Sequence, residues 1–485
     1  MKTSYLAGIA LVLVAVGCGG GDASGPKAKH ADGSAVKTGS GSSVSQAAAN
    51  KFKAALDAMA GHDKANDWNE AACTSTAKMF LDAASEQGDK FAEATYNAGL
   101  AYQRCKKDSD AKNYFSQTLQ KDPKFHQARM QLALYKFAEG GERDYDGAIS
   151  ELRQAAITDA QFKNVEALVH LGMMYMKRNN SSGDNDGAND LARAKKYAQS
   201  ALAVDDGFMP AFNLLALIYL EAAKQKVGRT SGRRVATNAG KEKKVDTQAL
   251  ELAALVCSQA IRKNPGYASV HNTAGMINVE LGNLNSAVQS FNTARKLDPS
   301  FYEAQMNFAA VNMQFRGFQQ AEEAYRAALK MRPSDYDAHL GLALALRGQI
   351  NDSNFDKMLA ASAAEIDAAK KAAPDRAETY YNEAILTQEY KAKSGGKDSE
   401  KVLNDAKNLF GQFVNKAGSA PEFADAVKRS KERMGEIDQV IAFNKQTEAE
   451  RKATAADKKT QEAEKEAQGD EGEGAAPEKK EEKKP

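Results

Sequence analysis

Proline is scarce in this chain, and patterns typical of β-strands are missing from it. Only 10 of the 485 residues are proline, and we find no convincing run of alternating apolar and polar residues. Apolar residues recur instead at the three- and four-residue spacing of helices. The formal net charge is +2, so no excess of one sign points to nucleic acid as a partner. The sequence therefore predicts an all-α protein.

Histidine and cysteine are also few, and their spacing carries no catalytic or metal-binding signature. The six histidines are scattered, without an HExxH motif or a cysteine at metal-ligand spacing. Gly240 and Lys241 are followed by Glu242 rather than Ser or Thr, which excludes a phosphate-binding Walker loop. No nucleophile elbow is present. We therefore expect no enzyme activity, no cofactor and no metal site.

One apolar run stands out, and it lies near the N-terminus. Residues 6–16 form an apolar stretch of about 11 residues, too short to cross a bilayer as a stable helix. This predicts a secretory signal peptide over residues 1–17. The ending Ala15-Val16-Gly17-Cys18 resembles a bacterial lipobox, although Ala15 stands where Leu is usual. The resemblance implies that Cys18 is lipidated, by palmitate or similar acyl chains. The alternative is an ordinary cleaved signal with an incidental Cys18.

The residues after Cys18 indicate where the protein is placed and how it is attached. Gly19 rather than Asp follows Cys18, and by resemblance to enterobacterial lipoproteins this implies the outer membrane, with the protein facing the periplasm. Residues 18–45 are rich in Gly, Ser and Ala and hold almost no large apolar side chain. Such a segment cannot bury enough surface to fold, so we expect a flexible tether.

Two consecutive segments, 268–301 and 302–335, share one layout at a period of 34 residues. Each holds two apolar stripes of helical period, separated by a short turn and closed by proline. Five landmark positions agree: Gly275 with Ala309, Ala287 with Ala321, Phe291 with Tyr325, Ala294 with Ala328, and Pro299 with Pro333. A helix pair of this kind cannot bury its apolar face alone and must stack on a copy of itself.

These landmarks resemble the tetratricopeptide repeat (TPR). The resemblance implies a TPR solenoid, a right-handed superhelix of antiparallel helix pairs. The landmarks recur with insertions over residues 46–421 and predict about nine units, as in other repeat arrays. The clearest units are 92–125, 268–301 and 302–335. We expect a capping helix over residues 422–447 and a charged low-complexity tail over residues 448–485. The tail lacks aromatic and large aliphatic residues, so it should begin as a polar helix extension and then become disordered.

Four insertions fall between the first and second helix of a unit, at 179–190, 222–247, 349–353 and 391–401. Within-unit turns of a solenoid share one edge, so the long loops should gather there. The largest insertion is strongly basic and either meets an acidic partner or anionic envelope polymer, or is a solvated loop. Its basic residues are Lys224, Lys226, Arg229, Arg233, Arg234, Lys241, Lys243 and Lys244.

The first helices are predicted to line an inner groove that is apolar and rich in methionine. Such a groove suits an extended peptide or an amphipathic helix, because Met adapts to varied partners. The alternative is that about half of these residues pack against neighbouring first helices inside the superhelix. The positions of the chaperone-binding Lys/Asn cluster hold Asn272, Met276, Met306 and Ala310, so we exclude chaperone docking. The candidate groove residues are Tyr96, Leu100, Met130, Leu134, Val169, Met173, Met176, Leu217, Met276, Val279, Met306, Met313, Leu340 and Leu344.

The remaining cysteines and two of the histidines have structural interpretations. Cys73 lies near the start of a second helix and Cys105 at the end of the next first helix, so antiparallel packing brings them together. We expect a disulfide in an oxidising periplasm, with two unpaired thiols as the alternative. Cys257 occupies the aromatic landmark and should be a core residue. His271 and His339 fall where the repeat often has Trp, which favours packing over catalysis.

Together these features predict an outer-membrane TPR lipoprotein that acts as a protein-interaction scaffold in an envelope-spanning complex. The order of parts resembles TPR lipoproteins of the adventurous gliding motility machinery of myxobacteria. That resemblance implies contacts with other gliding subunits, and neither nucleic acid nor a small-molecule substrate is expected. The alternatives are a pilotin-like assembly factor for a type IV pilus secretin and a TPR regulator of a peptidoglycan enzyme.

Overall fold

The computed structural model describes residues 36–37, 43–65, 67–88, 90–139, 144–157, 164–225, 233–236, 242–245, 247–394 and 398–469. The predicted signal peptide, residues 1–17, and Cys18 lie outside these ranges. Within them, no helix is both long and apolar enough to span a membrane.

Antiparallel pairs of α-helices joined by turns or insertions account for most of the described residues, and the predicted all-α fold is confirmed. Eight pairs can be counted within the two compact units of the described part of the chain. They are α1 (Gln46–Ala65) with α2 (Glu70–Ser85), α3 (Ala92–Arg104) with α4 (Asp108–Lys121), α5 (His126–Glu139) with α6 (Tyr145–Ile157), α7 (Val165–Arg178) with α8 (Asp190–Val204), α9 (Met209–Gln225) with α10 (Thr247–Lys263), α11 (Ala268–Glu280) with α12 (Leu284–Leu297), α15 (Tyr336–Gly348) with α16 (Phe355–Ala372), and α17 (Ala377–Leu386) with α19 (Ser399–Ala417), the short α18 (Ala392–Ser394) lying between the last two. Between α12 and α15 the chain forms α13 (Tyr302–Gln314) and α14 (Phe318–Met331). The chain divides into two compact units, the first ending at Val311 and the second beginning at Asn312.

Small residues in the first helices of the first unit allow the second helices to approach closely. A Cβ atom placed on Gly275 of α11 would lie 2.5 Å from Cε1 of Phe291 on α12. A Cβ on Gly99 of α3 would lie 2.7 Å from Cε1 of Phe115 on α4. Phe291 is 1% exposed and Phe115 is fully buried. Because these rings occupy the space that a side chain would need, glycine avoids a clash at both positions.

The second unit uses the same principle with other residues. A Cβ on Gly341 of α15 would overlap the ring of Tyr325 on α14. Phe410 and Phe413 of α19 are buried against Tyr381 of α17, with ring centroids 6.0 and 5.0 Å from it. Aromatic side chains therefore fill the seam between the helices of the last pair.

The folded part begins slightly earlier than predicted. Val44 is 5% exposed and belongs to the core around α1 and α2. The Oγ atom of Ser45 accepts a hydrogen bond from the backbone N–H of Ala48 at 3.1 Å, which caps the N-terminus of α1. A short strand β1 (Val36–Lys37) pairs with β2 (Ser43–Val44). The folded region therefore begins before residue 45, where the tether was predicted to end. The buried side chain of Val44 and the helix cap at Ser45 account for the difference.

The basic insertion contains a hairpin that the sequence did not predict. Strand β3 (Arg233–Ala236) pairs antiparallel with β4 (Glu242–Val245), with Arg234 opposite Lys244. Its strands carry basic residues rather than alternating apolar ones, so they lack the pattern by which strands are recognised. Lys226, Arg229 and Lys241 lie outside the described residues, and a binding role for this insertion stays a prediction.

The C-terminal helix continues past the predicted capping segment into the charged tail, where a polar helix extension was predicted. A 3₁₀ turn at Pro421–Phe423 leads into α20 (Ala424–Gly469), which does not end at residue 447. Its early part is anchored by Ile437 and Ile441, 1% and 9% exposed. Beyond residue 447 the helix is rich in Ala, Glu and Lys, which favour helix intrinsically. An ion pair one turn apart, between Lys452 Nζ and Glu448 Oε1 at 2.7 Å, supports it.

Another predicted insertion, 391–401, is partly helical. A π-helical turn at Thr387–Lys391 continues α17 and is followed by α18. The chain therefore remains helical to Ser394, well into the segment predicted to be a loop. The insertions at 179–190 and 349–353 lie between the helices of their pairs, as predicted.

Candidate interaction surface

Ten of the 14 predicted groove residues are partly exposed to solvent. Those in the first unit form what we call the first-helix face: Tyr96, Leu100, Met173, Leu217, Met276, Val279 and Met306. Met313, Leu340 and Leu344 are partly exposed in the second unit. Each of these ten residues belongs to the first helix of its pair. Apolar contact area on the first helices is therefore available to a partner.

The other four predicted groove residues are buried, and their assignment was wrong. Met130 and Leu134 of α5 are 0% and 2% exposed, and Val169 and Met176 of α7 are 4% and 8% exposed. All four belong to one hydrophobic core cluster of the first unit. The physical reason is that first helices pack against neighbours on both sides, which covers residues that helical spacing alone places on the inner side.

Polar side chains on successive first helices are hydrogen-bonded to each other, and sequence reasoning missed them. Gln103 Nε2 of α3 donates to Gln131 Oε1 of α5 at 3.0 Å. The other two bonds join α9 to α11 and α11 to α13: Thr273 Oγ1 donates to Asn213 Oδ1 at 2.6 Å, and Asn307 Nδ2 donates to Asn272 Oδ1 at 3.0 Å. The available signal was that the sequence carries Asn, Gln or Thr near the apolar positions of these helices.

These polar side chains can do more than join neighbouring helices. An amide side chain has two donors and an acceptor with two lone pairs, so one bond leaves further capacity. Gln103, Gln131, Asn213 and Asn307 are partly exposed, so that capacity faces solvent. The first helices of the first unit thus combine apolar contact area with amide groups able to bond a polypeptide backbone.

Glu166 and His170 lie one turn apart on α7, and neither side chain makes a hydrogen bond within the described residues. Both side chains are partly exposed, yet the protein around them shifts the pKa of each. Burial raises the pKa of the Glu166 carboxyl, and the positive charge of Arg104 opposes this shift. Burial lowers the pKa of His170 to about 4, and the charge of Lys177 adds to the effect. His170 is therefore neutral at pH 7.

Two other histidines have a structural role at the turns that connect one repeat to the next. His271 Nε2 lies 2.9 Å from the carbonyl oxygen of Pro265, and His339 Nε2 lies 2.9 Å from that of Pro333. Gln305 Nε2 donates to the Pro299 carbonyl at 3.2 Å in the same way. Each side chain bonds the carbonyl of the proline six residues before it. These bonds give His271 and His339 a reason to be present that is independent of catalysis.

Cys73 and Cys105 are joined by a disulfide, with their Cα atoms 6.2 Å apart. The bond ties α2 to the end of α3. Two ion pairs flank the junction: Lys107 Nζ with Glu70 Oε1 at 2.6 Å, and Arg104 Nε with Asp63 Oδ1 at 3.0 Å. Cys257 is 2% exposed, and burial raises the pKa of its thiol to about 12, so it is an unreactive core residue.

The insertion at 179–190 is held against α8 by ion pairs rather than left free. Arg193, with a side chain 3% exposed, contacts Asp184 at 2.9 Å and Asp190 at 2.6 Å. Arg178 contacts Asp190 at 2.7 Å. The guanidinium groups occupy the space among the carboxylates. Across the described residues, no group of three or more His, Cys, Asp or Glu side chains is arranged to hold a metal ion.

Two parts of the chain match family models described as tetratricopeptide repeat, residues 268–301 and residues 309–377. Comparison with curated proteins finds no match. Together with the helix pairs, these matches show that the chain contains TPR repeats. Such a fold is consistent with a scaffold for protein–protein interaction.

Several solved structures are similar at low identity. A thermophilic TPR protein of Thermus thermophilus is 23% identical. The alignment covers 46% of this chain and 99% of that protein, with a TM-score of 0.36. A tetratricopeptide repeat protein of Parabacteroides merdae is 15% identical, covering 63% and 98%, with a TM-score of 0.36. The PilF protein of Pseudomonas aeruginosa is 16% identical, covering 56% and 100%, with a TM-score of 0.38. At these values the likenesses carry no information on function.

Proposed function

We propose that this protein is a non-catalytic scaffold whose first unit binds an extended segment of another protein across the first-helix face. The observation that carries this proposal is the combination of partly exposed apolar side chains with amide groups on the same helices. Extended backbone presents one N–H and one C=O per residue, and amide side chains can satisfy both. An amphipathic helix satisfies its own backbone bonds and would leave these amides unused, so an extended segment fits better.

The test is co-purification of partners with variants of the full chain. Met173→Glu and Leu217→Glu place charges on the first-helix face and should remove one identified partner. Leu255 of α10 is 51% exposed, so Leu255→Glu is the matched control and should keep that partner. The proposal fails if the same partner is retained by the first two variants, provided that their circular dichroism matches that of the unaltered protein.

We further propose that the scaffold is held at the outer membrane by acyl chains on Cys18, facing the periplasm. The support is the lipobox-like ending at Cys18 and the Gly/Ser-rich segment after it. Several acyl chains on one residue anchor a protein far more firmly than a single chain. Metabolic labelling with a palmitate analogue should label the protein but not a Cys18→Ser variant. Equal recovery of both forms in the soluble fraction would refute the anchor.

The complex that we propose for this scaffold is the gliding motility machinery. Its support is the order of parts, namely a lipobox, a tether, helical repeats with insertions, and a charged tail. The co-purification described above tests this proposal, because the partner that the unaltered protein retains should be another gliding subunit. A pilus secretin or a peptidoglycan enzyme as that partner would assign the scaffold to a different machinery.

A further inference from the structure

Helix α20 exposes two apolar side chains on a face that the core of the second unit does not use. Phe443 is 68% exposed and Val440 is 46% exposed, whereas Ile437 and Ile441 of the same helix are buried. The core cluster that contains both isoleucines and the aromatic residues of α19 includes neither Val440 nor Phe443. The end of a repeat array needs a polar outer face, because no further repeat covers it. As the last helix of the described chain, α20 departs from this rule at Val440 and Phe443.

Residues at one-turn spacing extend this face of α20 in both directions. Two acidic residues precede Val440 by one and two turns, and a threonine and an arginine follow Phe443 at the same spacings. The face, which we call the outer stripe, consists of Glu432, Glu436, Val440, Phe443, Thr447 and Arg451. Thr447 is partly exposed and the other five residues are exposed. The outer stripe thus changes along the helix from acidic through apolar to basic.

Reversing the outer stripe end to end gives an order of charges that complements the original. Glu432 lies eight residues before Val440, and Arg451 lies eight residues after Phe443. If Val440 of one helix packs against Phe443 of an antiparallel copy, equal spacing brings Glu432 of each copy opposite Arg451 of the other. The outer stripe is therefore complementary to itself, which is what an interface between two identical chains requires.

These charges favour an antiparallel pair over a parallel one. In a parallel pair in register each residue lies opposite its own copy, so Glu432, Glu436 and Arg451 would each meet a like charge. In the antiparallel pair Glu436 lies opposite Thr447 instead. Glu432 also contacts Lys428 at 3.9 Å, but these side chains are 56% and 79% exposed, and such a pair contributes little. Glu432 therefore remains available to an arginine of a second copy.

We propose that the outer stripe binds a second copy of this chain, with two α20 helices packed antiparallel about a twofold axis. Val440 of each copy packs against Phe443 of the other, and Glu432 pairs with Arg451, so every contact is made twice. Burial of the two apolar side chains supplies the association energy, and the charges set the register. The pairing joins folded chains, so it adds nothing to the stability of protein diluted below its dissociation constant. It involves the second unit alone and is independent of the first-helix face.

The first test is sedimentation equilibrium of the full chain carrying Cys18→Ser, which removes the proposed acyl anchor. The average mass should rise with concentration from that of one chain to that of two. Phe443→Glu should weaken the association by roughly a hundredfold or more, because both copies lose an apolar contact and gain a charge. Ala442→Glu is the matched control, since Ala442 is exposed on another face of α20, and it should leave the association unchanged. A monomer at every concentration, or equal weakening by both variants, would overturn the proposal.

Exchange of the charged pair tests the register. Glu432→Arg brings two positive charges together at each end of the pair and should weaken the association by roughly tenfold or more. Adding Arg451→Glu restores opposite charges and should restore the affinity of the parent. A doubly altered protein that associates no better than Glu432→Arg would contradict the antiparallel register.

Cysteine trapping distinguishes the two orientations. Glu436 and Thr447 are about three turns, or roughly 16 Å, apart on one helix, so cysteines at both positions cannot bridge within a chain. In the antiparallel pair each position lies opposite the other, so the double variant Glu436→Cys, Thr447→Cys should form covalent dimers on mild oxidation. Either single variant should stay monomeric in non-reducing electrophoresis, because the two copies of one position are far apart. Dimers of the single variants would show a parallel pair, and a double variant that does not crosslink would overturn the pairing.

Discussion

At the scale of single residues, the seam between paired helices depends on positions where no side chain fits. Gly275→Ala should lower the free energy of unfolding by about 1–2 kcal/mol, because its Cβ would lie 2.5 Å from the ring of Phe291. Gly411 of α19 is the control, since a Cβ there meets nothing within 4 Å. Gly411→Ala should stabilise the protein by about 0.5–1 kcal/mol through helix propensity. Urea unfolding measures both, and a Gly275→Ala variant as stable as the parent would contradict the packing argument.

The lowered pKa of His170 predicts that the folded protein loses part of its stability in acid. Its pKa is about 4 in the folded protein, below the ordinary value of 6.5, so the unfolded chain binds its proton first. The stability that the neutral form contributes is present above pH 6.5 and is lost as pH falls towards 4. Allowing for partial exposure, the loss is on the order of 1–2 kcal/mol.

The measurement is urea unfolding of the parent and of His170→Gln at pH 7 and at pH 4. The variant should lose less stability than the parent over this interval. The control is His271→Gln, where Gln can keep the bond to the Pro265 carbonyl as Gln305 does to Pro299. Equal losses in the parent and in His170→Gln would show that His170 does not contribute.

The burial of individual side chains is what helical spacing alone does not predict. Helical spacing placed Met173 and Met176 on one groove, yet Met176 is 8% exposed and belongs to the core whereas Met173 remains partly exposed. Which of two neighbouring apolar side chains is covered depends on how adjacent first helices pack, and a pattern of single helices does not contain that information. The amide pair Asn307–Asn272, across 35 positions, escaped detection for the same reason.

At the scale of elements, the disulfide between α2 and α3 is a prediction for the oxidised protein. The bond closes a loop with a sequence separation of 32 and should stabilise the protein by about 2–4 kcal/mol. Unfolded, non-reduced protein whose Cys18 is lipidated or replaced by Ser should therefore show one reactive thiol, that of Cys257. Three reactive thiols would show that Cys73 and Cys105 are not bridged.

The long helix α20 should contribute unevenly along its length. Ile437 is 1% exposed, so Ile437→Ala should cost about 2–4 kcal/mol of stability. Described side chains from Thr447 to Glu462 are largely exposed, so ending the chain after Thr447 should leave the urea midpoint unchanged. A truncated protein that unfolds as early as Ile437→Ala would show that the far part of α20 is packed.

The elements were predictable to different degrees for physical reasons. The four helices within 268–297 and 302–331 follow from regular apolar spacing and from the proline at the end of each repeat. The polar helix extension past residue 447 was predictable because Ala, Glu and Lys keep helix propensity high, whereas the residue at which it ends has no such signal. The hairpin of β3 (Arg233–Ala236) and β4 was not predictable, because its strands lack the alternation of apolar and polar residues from which strands are recognised.

At the scale of the whole molecule, the chain forms two compact units, one ending at Val311 and one beginning at Asn312. The residues of the first-helix face all belong to the unit that ends at Val311, so the proposed binding of an extended segment is assigned to that unit.

Site-specific photo-crosslinking in the native cells tests whether the first-helix face holds an extended segment of another protein. Benzoylphenylalanine is placed at Met173, and at Leu255 of α10 as the control. We expect a crosslink from position 173 to one protein, which mass spectrometry maps to a single short segment, and none from position 255. Crosslinks from position 255 alone, or none from either position, would contradict it.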